Sequence, residues 1–379
     1  RGLGDVYKRQ KHMKILFVGD ASNLHNCLAT ALRRMGHHVI VASNGSRWMN
    51  TNRDININRK SNSLFHTLIY LIRLTLALPK MKGFDVVELA SPIFLTLKPQ
   101  KIMWIYKYLR RHNKKIVLSA LGSDYYYVKM CCEQQGLRYS DYFYNNERTP
   151  YNINNTKATQ QWLTTSMKNF TQKIAEDVDG IIACLFEYYT VYTPLFPKKT
   201  FYADIPIDIK AIKPNYIKQE PAKVKFFIGL QKGRMEIKGT DRLLSAAKKI
   251  CQKYPELTEL TVVTNIPYSQ YLEQMKSSHV LLDQIYSYTP ATNALLAMAH
   301  GLIAVSGAEP EYYDFIEEKD NHPIINVLPD DKDIFQKLEW IVLNKHLLPE
   351  LSLKSREFVE KHNDNEKVAR QYLDIWNKI

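Results

Sequence analysis

Short apolar runs alternate with amphipathic stretches along the whole chain. In the first half, Lys14–Gly19, Val39–Ala42, Val86–Leu89, Ile116–Leu118 and Gly180–Ala183 read as buried strands. Ala21–Met35, Leu64–Leu78, Lys101–His112 and Gln160–Glu176 carry helical spacing between them. The second half repeats the plan, with strands near 224–228, 260–263, 280–282, 302–305 and 324–327. Such alternation predicts an α/β protein of two doubly wound parallel sheets. Asn44–Asn62 is a polar stretch. Tyr125–Thr156 is rich in Tyr and Asn and predicts an irregular insertion, while Pro197–Pro214 has the extended, Pro-containing character of a linker. The expected division is an N-terminal domain over 13–205, a C-terminal domain over 206–362, and a last helix in 363–379 that packs back on the first. Two such sheets facing each other leave a cleft at their carboxyl ends, where open α/β sheets bind ligands.

Composition narrows the class. A chain of 379 residues is long enough for two cores, and its 45% apolar content with few Gly and Pro argues against disorder. Residues 1–12 precede the first Met, Met13, and read as a non-native leader. The five cysteines form an odd set without framework spacing, and Cys131–Cys132 is a vicinal pair rather than a CxxC. They predict small apolar residues in a reducing compartment, with no metal site. No secretory signal follows Met13, and the apolar run Leu64–Leu78, broken by His66 and Arg73, is too short to span a bilayer. A cytoplasmic protein, soluble or peripheral on the inner face of the plasma membrane, is expected.

The charge is uneven. Residues 13–205 hold 25 Lys/Arg against 13 Asp/Glu, whereas 206–379 hold 23 against 24. A basic half beside a neutral half predicts that one domain faces something anionic. Leu64, Leu68, Leu71, Ile72 and Leu76, with Arg73, Lys80 and Lys82 nearby, fit either an interfacial helix or one buried against the first sheet. Nucleic acid is not the expected anion, because no nucleic-acid module is recognisable around the aromatic run Tyr125–Tyr127.

The candidate chemistry clusters in the second half. After the strand Val224–Ile228 comes a loop with Lys232, Gly233, Arg234, Lys238 and Gly239, then Thr240 or Asp241 where a helix N-cap belongs. Flexible glycines among cations at the carboxyl end of a strand prepare a place for phosphate. Val280–Leu282 leads similarly into the polar loop Ser287–Asn293, then a helix Ala294–Ala299 that Thr292 or Asn293 is placed to cap. Two helix N-termini can thus be aimed at one anion. The loop Gly19–Asn26 is not GxGxxG, which disfavours a nicotinamide cofactor.

These residues also carry a resemblance. The order "G…R…KGTD.LL.A", then "L…AMA.G…V…EP..Y", resembles the donor half of GT-B glycosyltransferases, nearest to family 4. Further motifs follow in order: LRRMGHHVIVAS (32–43), ALGSD (120–124) where relatives carry HGSD, EDVDGIIAC (176–184), IPIDI (205–209) and EKVARQYLDIW (366–376). The resemblance implies a retaining transfer of a hexose, without metal or other cofactor, from a nucleotide diphosphate sugar. The implied acceptor is a glycan or lipid-linked glycan of bacterial surface polysaccharide synthesis, held by the N-terminal domain. That basic domain would then meet a lipid-linked pyrophosphate or an anionic membrane.

The resemblance places Arg234 and Lys238 on the pyrophosphate, with Lys232 kept as an alternative to Arg234 and Gly233 between them. The family's paired glutamates, E-x7-E, fall on Tyr288 and Leu296, so sugar and ribose recognition must differ here. Tyr288, Thr289 and Asn293 offer hydroxyls and an amide in that loop, and Glu309 and Glu311 are carboxylates near the next strand end. On the acceptor side Leu121 replaces the motif His. Asp124, beside Ser123, fits a group that orients the acceptor or takes its proton, and equally an N-cap. His25, after Gly19, fits either a substitute for the missing His or a structural residue. A catalytically silent glycan- or lipid-binding partner and a hydrolysing nucleotide-sugar epimerase are the competing readings.

Overall fold

A computed structural model describes residues 12–379, so residues 1–11 of the expected leader lie outside the described residues. The first sheet contains β1 (Lys14–Val18), β2 (His38–Ser43), β3 (Ile55–Asn56), β4 (Val86–Leu89), β5 (Lys115–Ala120), and two later strands. A separate antiparallel hairpin, β6 (Phe143–Tyr144) and β7 (Glu147–Arg148), precedes β8 (Gly180–Ala183) and β9 (Thr200–Tyr202). The seven strands lie all-parallel in the order β3-β2-β1-β4-β5-β8-β9. The second sheet contains β10 (Val224–Leu230), β11 (Thr258–Thr264), β12 (Val280–Leu282), β13 (Ile303–Ser306) and β14 (Ile325–Asn326), parallel in the order β11-β10-β12-β13-β14.

Strands buried on both faces explain the near-continuous apolar runs in the sequence. One face of the first sheet packs on the helices Leu64–Ala77, Pro99–His112 and Thr165–Asp177. The other packs on Leu24–Arg34 and on the last helix, Asn365–Lys378, whose Val368, Tyr372 and Trp376 share a cluster with Ile15, Phe17 and Leu28. Trp376 Nε1 donates to Glu88 Oε2 at 3.1 Å, tying the chain's end to the middle of the first sheet. The chain passes between the halves twice, side by side. Ile207 N donates to Asn363 O at 2.7 Å and Asn365 N to Ile207 O at 3.0 Å.

Three elements differ from the sequence reading. Tyr125–Thr156 is not irregular: it holds the helix Tyr125–Glu133, the β6–β7 hairpin and the short helix Pro150–Asn154. Its tyrosines bury ring surface among one another, so apolar periodicity is masked by the polar letters. The span read as one helix, Gln160–Glu176, is broken at Leu163, and Thr164 caps a new helix by accepting from Met167 N. The stretch read as a linker contributes β9 to the first sheet. Among the described residues, no helix is long and apolar enough to cross a membrane.

Candidate active site

The loops at the carboxyl ends of the two sheets meet across a seam with two unlike ends. At the first end, β10 runs into residues 231–234, a single turn Met235–Lys238, and the helix Thr240–Lys253. Gly239 joins the two helices at φ +68°, a left-handed conformation that costs a side-chain-bearing residue strain. A Cβ there would also meet Ile285 Cγ1 at 2.3 Å. Ile285 N donates to Lys238 O at 3.0 Å, so the loops after β10 and β12 are stitched into one platform.

Lys238 Nζ lies 3.0 Å from Asp283 Oδ1, which also accepts from Asn293 Nδ2 at 2.9 Å. Tyr271 OH donates in turn to Asn293 Oδ1 at 2.8 Å. An ammonium has three donors, so Asp283 orients Lys238 and leaves it hydrogen-bonding capacity for a ligand. Asp283 Oδ2 is buried and unpartnered among the described residues. Lys232, Gly233 and Arg234 are exposed, and among the described residues neither cation makes an ion pair. The expected N-caps are absent. Gly239 and Ala291 hold those positions, and among the described residues no side chain caps the helix Thr240–Lys253 or Thr292–Ala299. Their first-turn amides are therefore free of side-chain acceptors at the strand ends, as in anion sites. From the first half, Trp48 reaches over this end, edge-on to Tyr268 and Tyr271 at ring separations of 5.1 and 5.5 Å.

The other end is closed by a clasp, formed where the Tyr125–Thr156 insertion meets the loops after β12 and β13. Tyr139 stacks on Tyr288 at 4.7 Å and donates its hydroxyl to Glu309 Oε1 at 2.7 Å. Tyr288 OH accepts from the backbone N–H of Arg138 at 2.5 Å and of Tyr139 at 3.3 Å. Arg138 pairs with buried Glu309 and, through Nε at 2.8 Å, with Glu311. Asn326 Nδ2 completes the donors on Glu309 at 3.0 Å. Glu187, at the start of the helix after β8, accepts from Tyr288 N at 2.6 Å, Thr289 N at 3.1 Å and Thr289 Oγ1 at 2.7 Å. Burial raises the Glu187 pKa, and those donors oppose the rise. Gly307 permits the tight packing of this loop, since a Cβ there would fall 1.7 Å from Ser287 O. Tyr288, Thr289 and Glu309 are thus joined to one another, but in bonds the protein makes to itself.

The acceptor-side residues are also largely committed. Gly19 turns the chain at the end of β1, its amide on Ala42 O. His25 does not open on the cleft: it is fully buried, with Nδ1 2.9 Å from Gly19 O and Nε2 3.1 Å from Ser119 Oγ. Burial alone would lower its pKa, yet the hydrogen bond and charge of Glu88 raise it. Asp124 is buried too. One oxygen caps the helix Tyr125–Glu133 by accepting from Tyr127 N at 2.9 Å, and the other accepts from Tyr192 OH at 2.6 Å. Its N-capping alternative is therefore the geometry seen, and burial raises its pKa. Ser123, just before it, is half-buried.

Sequence reasoning missed Arg138, Tyr139, Glu187 and Asp141. Asp141 follows the clasp, accepts from Tyr127 OH at 3.0 Å, and is pushed up to about 7 by burial, which the Arg234 charge counters. No local motif marks these residues. The one available signal was the density of Tyr and charged residues within 138–142. Among the described residues, no three His, Cys, Asp or Glu side chains gather as a metal-binding group.

No protein-family model and no curated protein sequence matches the chain. Solved structures do match over nearly its whole length. Sucrose-phosphate synthase from Thermosynechococcus elongatus superposes with a TM-score of 0.60 at 14% identity, covering 96% of this chain and 98% of that one. An alpha-glucosyltransferase in complex with UDP and a 13-mer DNA gives 0.59 at 11%, covering 96% and 100%. Anabaena Alr3699/HepE in complex with UDP and glucose gives 0.56 at 11%, covering 97% and 100%. With two doubly wound sheets facing across a seam of carboxyl-end loops, the chain has the GT-B fold.

Proposed function

We propose that this chain is a retaining glycosyltransferase that moves a hexose from a nucleotide diphosphate sugar to a glycan or lipid-linked glycan acceptor. The observation that carries this reading is the platform after β10 and β12. Lys238 is oriented by Asp283, and among the described residues Lys232 and Arg234 make no ion pair and two helix N-termini lack side-chain caps. Such a place suits a pyrophosphate. The UDP named in two of the structural neighbours supports the same ligand class.

In the proposed reaction, Lys238 with Arg234 or Lys232 stabilises the charge that develops on the departing phosphate as the anomeric C–O bond breaks. The acceptor hydroxyl attacks from the same face, forms the new C–O bond, and passes its proton to that phosphate oxygen. No metal or other cofactor is assigned a step. Asn293, on the platform, is the polar side chain placed to meet the donor. Tyr288, Thr289 and Glu309 would reach it only if the clasp opened. Bacterial surface polysaccharide synthesis in the cytoplasm is the proposed setting, by family resemblance.

A thermal-shift screen against UDP, GDP, dTDP and their sugars tests the reading. Stabilisation by one nucleotide, lost in Lys238→Ala and kept in Lys248→Ala, is expected. A well-folded protein that responds to none of them would reject it in favour of a catalytically silent partner.

A further inference from the structure

The helix Leu64–Ala77 resolves the choice its sequence left open. Tyr70, Leu74 and Ala77 face the first sheet, while Leu64, Phe65, Leu68, Ile72 and Leu76 are between 52% and 90% exposed. Leu64, Leu68, Ile72 and Leu76 recur every fourth residue and so form one continuous stripe. Single exposed leucines need no explanation, but a stripe of four large apolar side chains with Phe65 beside it marks an interaction surface.

The neighbouring helix, Pro99–His112, lies on the same sheet face. Tyr108 OH donates to Leu78 O at 3.1 Å, where the first helix ends. It presents Trp104, 62% exposed, among exposed Lys101, Lys107 and Arg111. Residues 64–115 hold ten Lys/Arg against two Asp/Glu; Arg110 and Lys114 are paired with Asp177, Asp179 and Asp85, whereas Arg73, Lys80, Lys82, Lys101, Lys107 and Arg111 are exposed and make no ion pair among the described residues. The face is therefore apolar in the middle, aromatic at one side and cationic around it.

We infer that this two-helix face seats the protein on an anionic lipid surface, with the leucine stripe and Trp104 in the headgroup–acyl boundary and the cations on headgroup phosphates. The surplus of cations on this face argues against a second copy of the chain, because a two-fold contact would bring like charges together. The stripe has no complement on a glycan or on a nucleic-acid backbone. The most exposed turn, Leu64–Phe65, lies toward the carboxyl ends of the strands. Arg59, just before this helix, donates to Thr96 O in the loop after β4, and Thr96 N donates to Tyr70 OH. Seating there would hold the open side of the fold toward the membrane. The inference does not depend on the proposed transfer reaction.

Co-sedimentation of the full chain with vesicles of phosphatidylcholine, alone or with phosphatidylglycerol, tests it at about 0.1 M salt. Binding to the anionic vesicles and little to the neutral ones is expected. Leu68→Ser with Ile72→Ser should lower partitioning about tenfold without changing the unfolding temperature, since both side chains face outward. Lys101→Ala with Lys107→Ala should lower it severalfold, mainly at low salt. Brominated lipid should quench tryptophan fluorescence in the native chain and not in Trp104→Phe. Absence of binding to anionic vesicles would overturn the inference, and so would undiminished binding by the Leu68/Ile72 variant. A dimer in sedimentation velocity that the same variant dissolves would overturn it in favour of self-association.

Discussion

The two ends of the seam use the same kinds of side chain to opposite effect. At the clasp, Glu187 and Glu309 are buried and each accepts three hydrogen bonds from the protein. At the platform, Asp283 keeps one oxygen unpartnered among the described residues, Lys238 keeps spare donors, and Lys232 and Arg234 face solvent. Buried polar groups must be satisfied, so the first end is built for cohesion. The second has polar capacity left for a ligand. The resemblance would put one of the paired carboxylates at Tyr288, but there the chain stacks its own Tyr139 instead.

The widest test concerns Asp141, which follows the clasp and feels the charge of Arg234. Its folded pKa, about 7, lies above the 3.8 of a free aspartate. The native state therefore holds a proton that the unfolded chain has released, and native stability declines as pH rises from about 4 to about 7. Urea unfolding across that window should show native protein losing on the order of 4 kcal/mol relative to Asp141→Asn. Parallel curves would mean that burial does not raise the pKa of this carboxyl.

Next comes the platform. Lys238→Ala should weaken nucleotide binding about tenfold or more by calorimetry, the size of one charge-assisted contact, and should also cost about 1–3 kcal/mol of stability because it leaves buried Asp283 without its cation. Arg138→Ala should leave nucleotide affinity nearly unchanged. It leaves Glu309 buried without its cation and should cost about 1–3 kcal/mol of stability, discounted because Arg138 is half exposed. If Arg138→Ala also cut nucleotide affinity as strongly as Lys238→Ala, the two ends would not be separate devices. The smallest effect is expected for Tyr139→Phe. It keeps the ring stack and removes one hydrogen bond to Glu309, at about 1 kcal/mol, with faster amide exchange around 137–143 as its readout.

Much of the framework was legible. The runs Val86–Leu89, Gly180–Ala183 and Val280–Leu282 are strands at the bounds their apolar letters suggest, because strands buried on both faces leave no ambiguity of period. The cationic loop after β10 was also visible, since Gly and Lys there break an apolar pattern on both sides. Caps were less legible. Thr240 and Asn293 are good capping residues, yet the αL turn at Gly239 displaces one and Asp283 engages the other. The clasp was not legible at all: Arg138 and Glu309 are 171 residues apart, and neither sits in a local pattern.

Periodicity, charge and glycine placement are local properties, and they suffice to predict two doubly wound sheets, a cationic turn and an apolar stripe beside basic residues. The tertiary structure alone decided which polar groups are spent and which are spare. Hydrogen bonds such as those of Glu187 to the Tyr288–Thr289 loop, or of Asp124 to Tyr192, exist only where distant segments approach within bonding distance and exclude water. The same approach left Leu64, Leu68, Ile72 and Leu76 uncovered, because the sheet below needed only Tyr70, Leu74 and Ala77 from that helix to close its core.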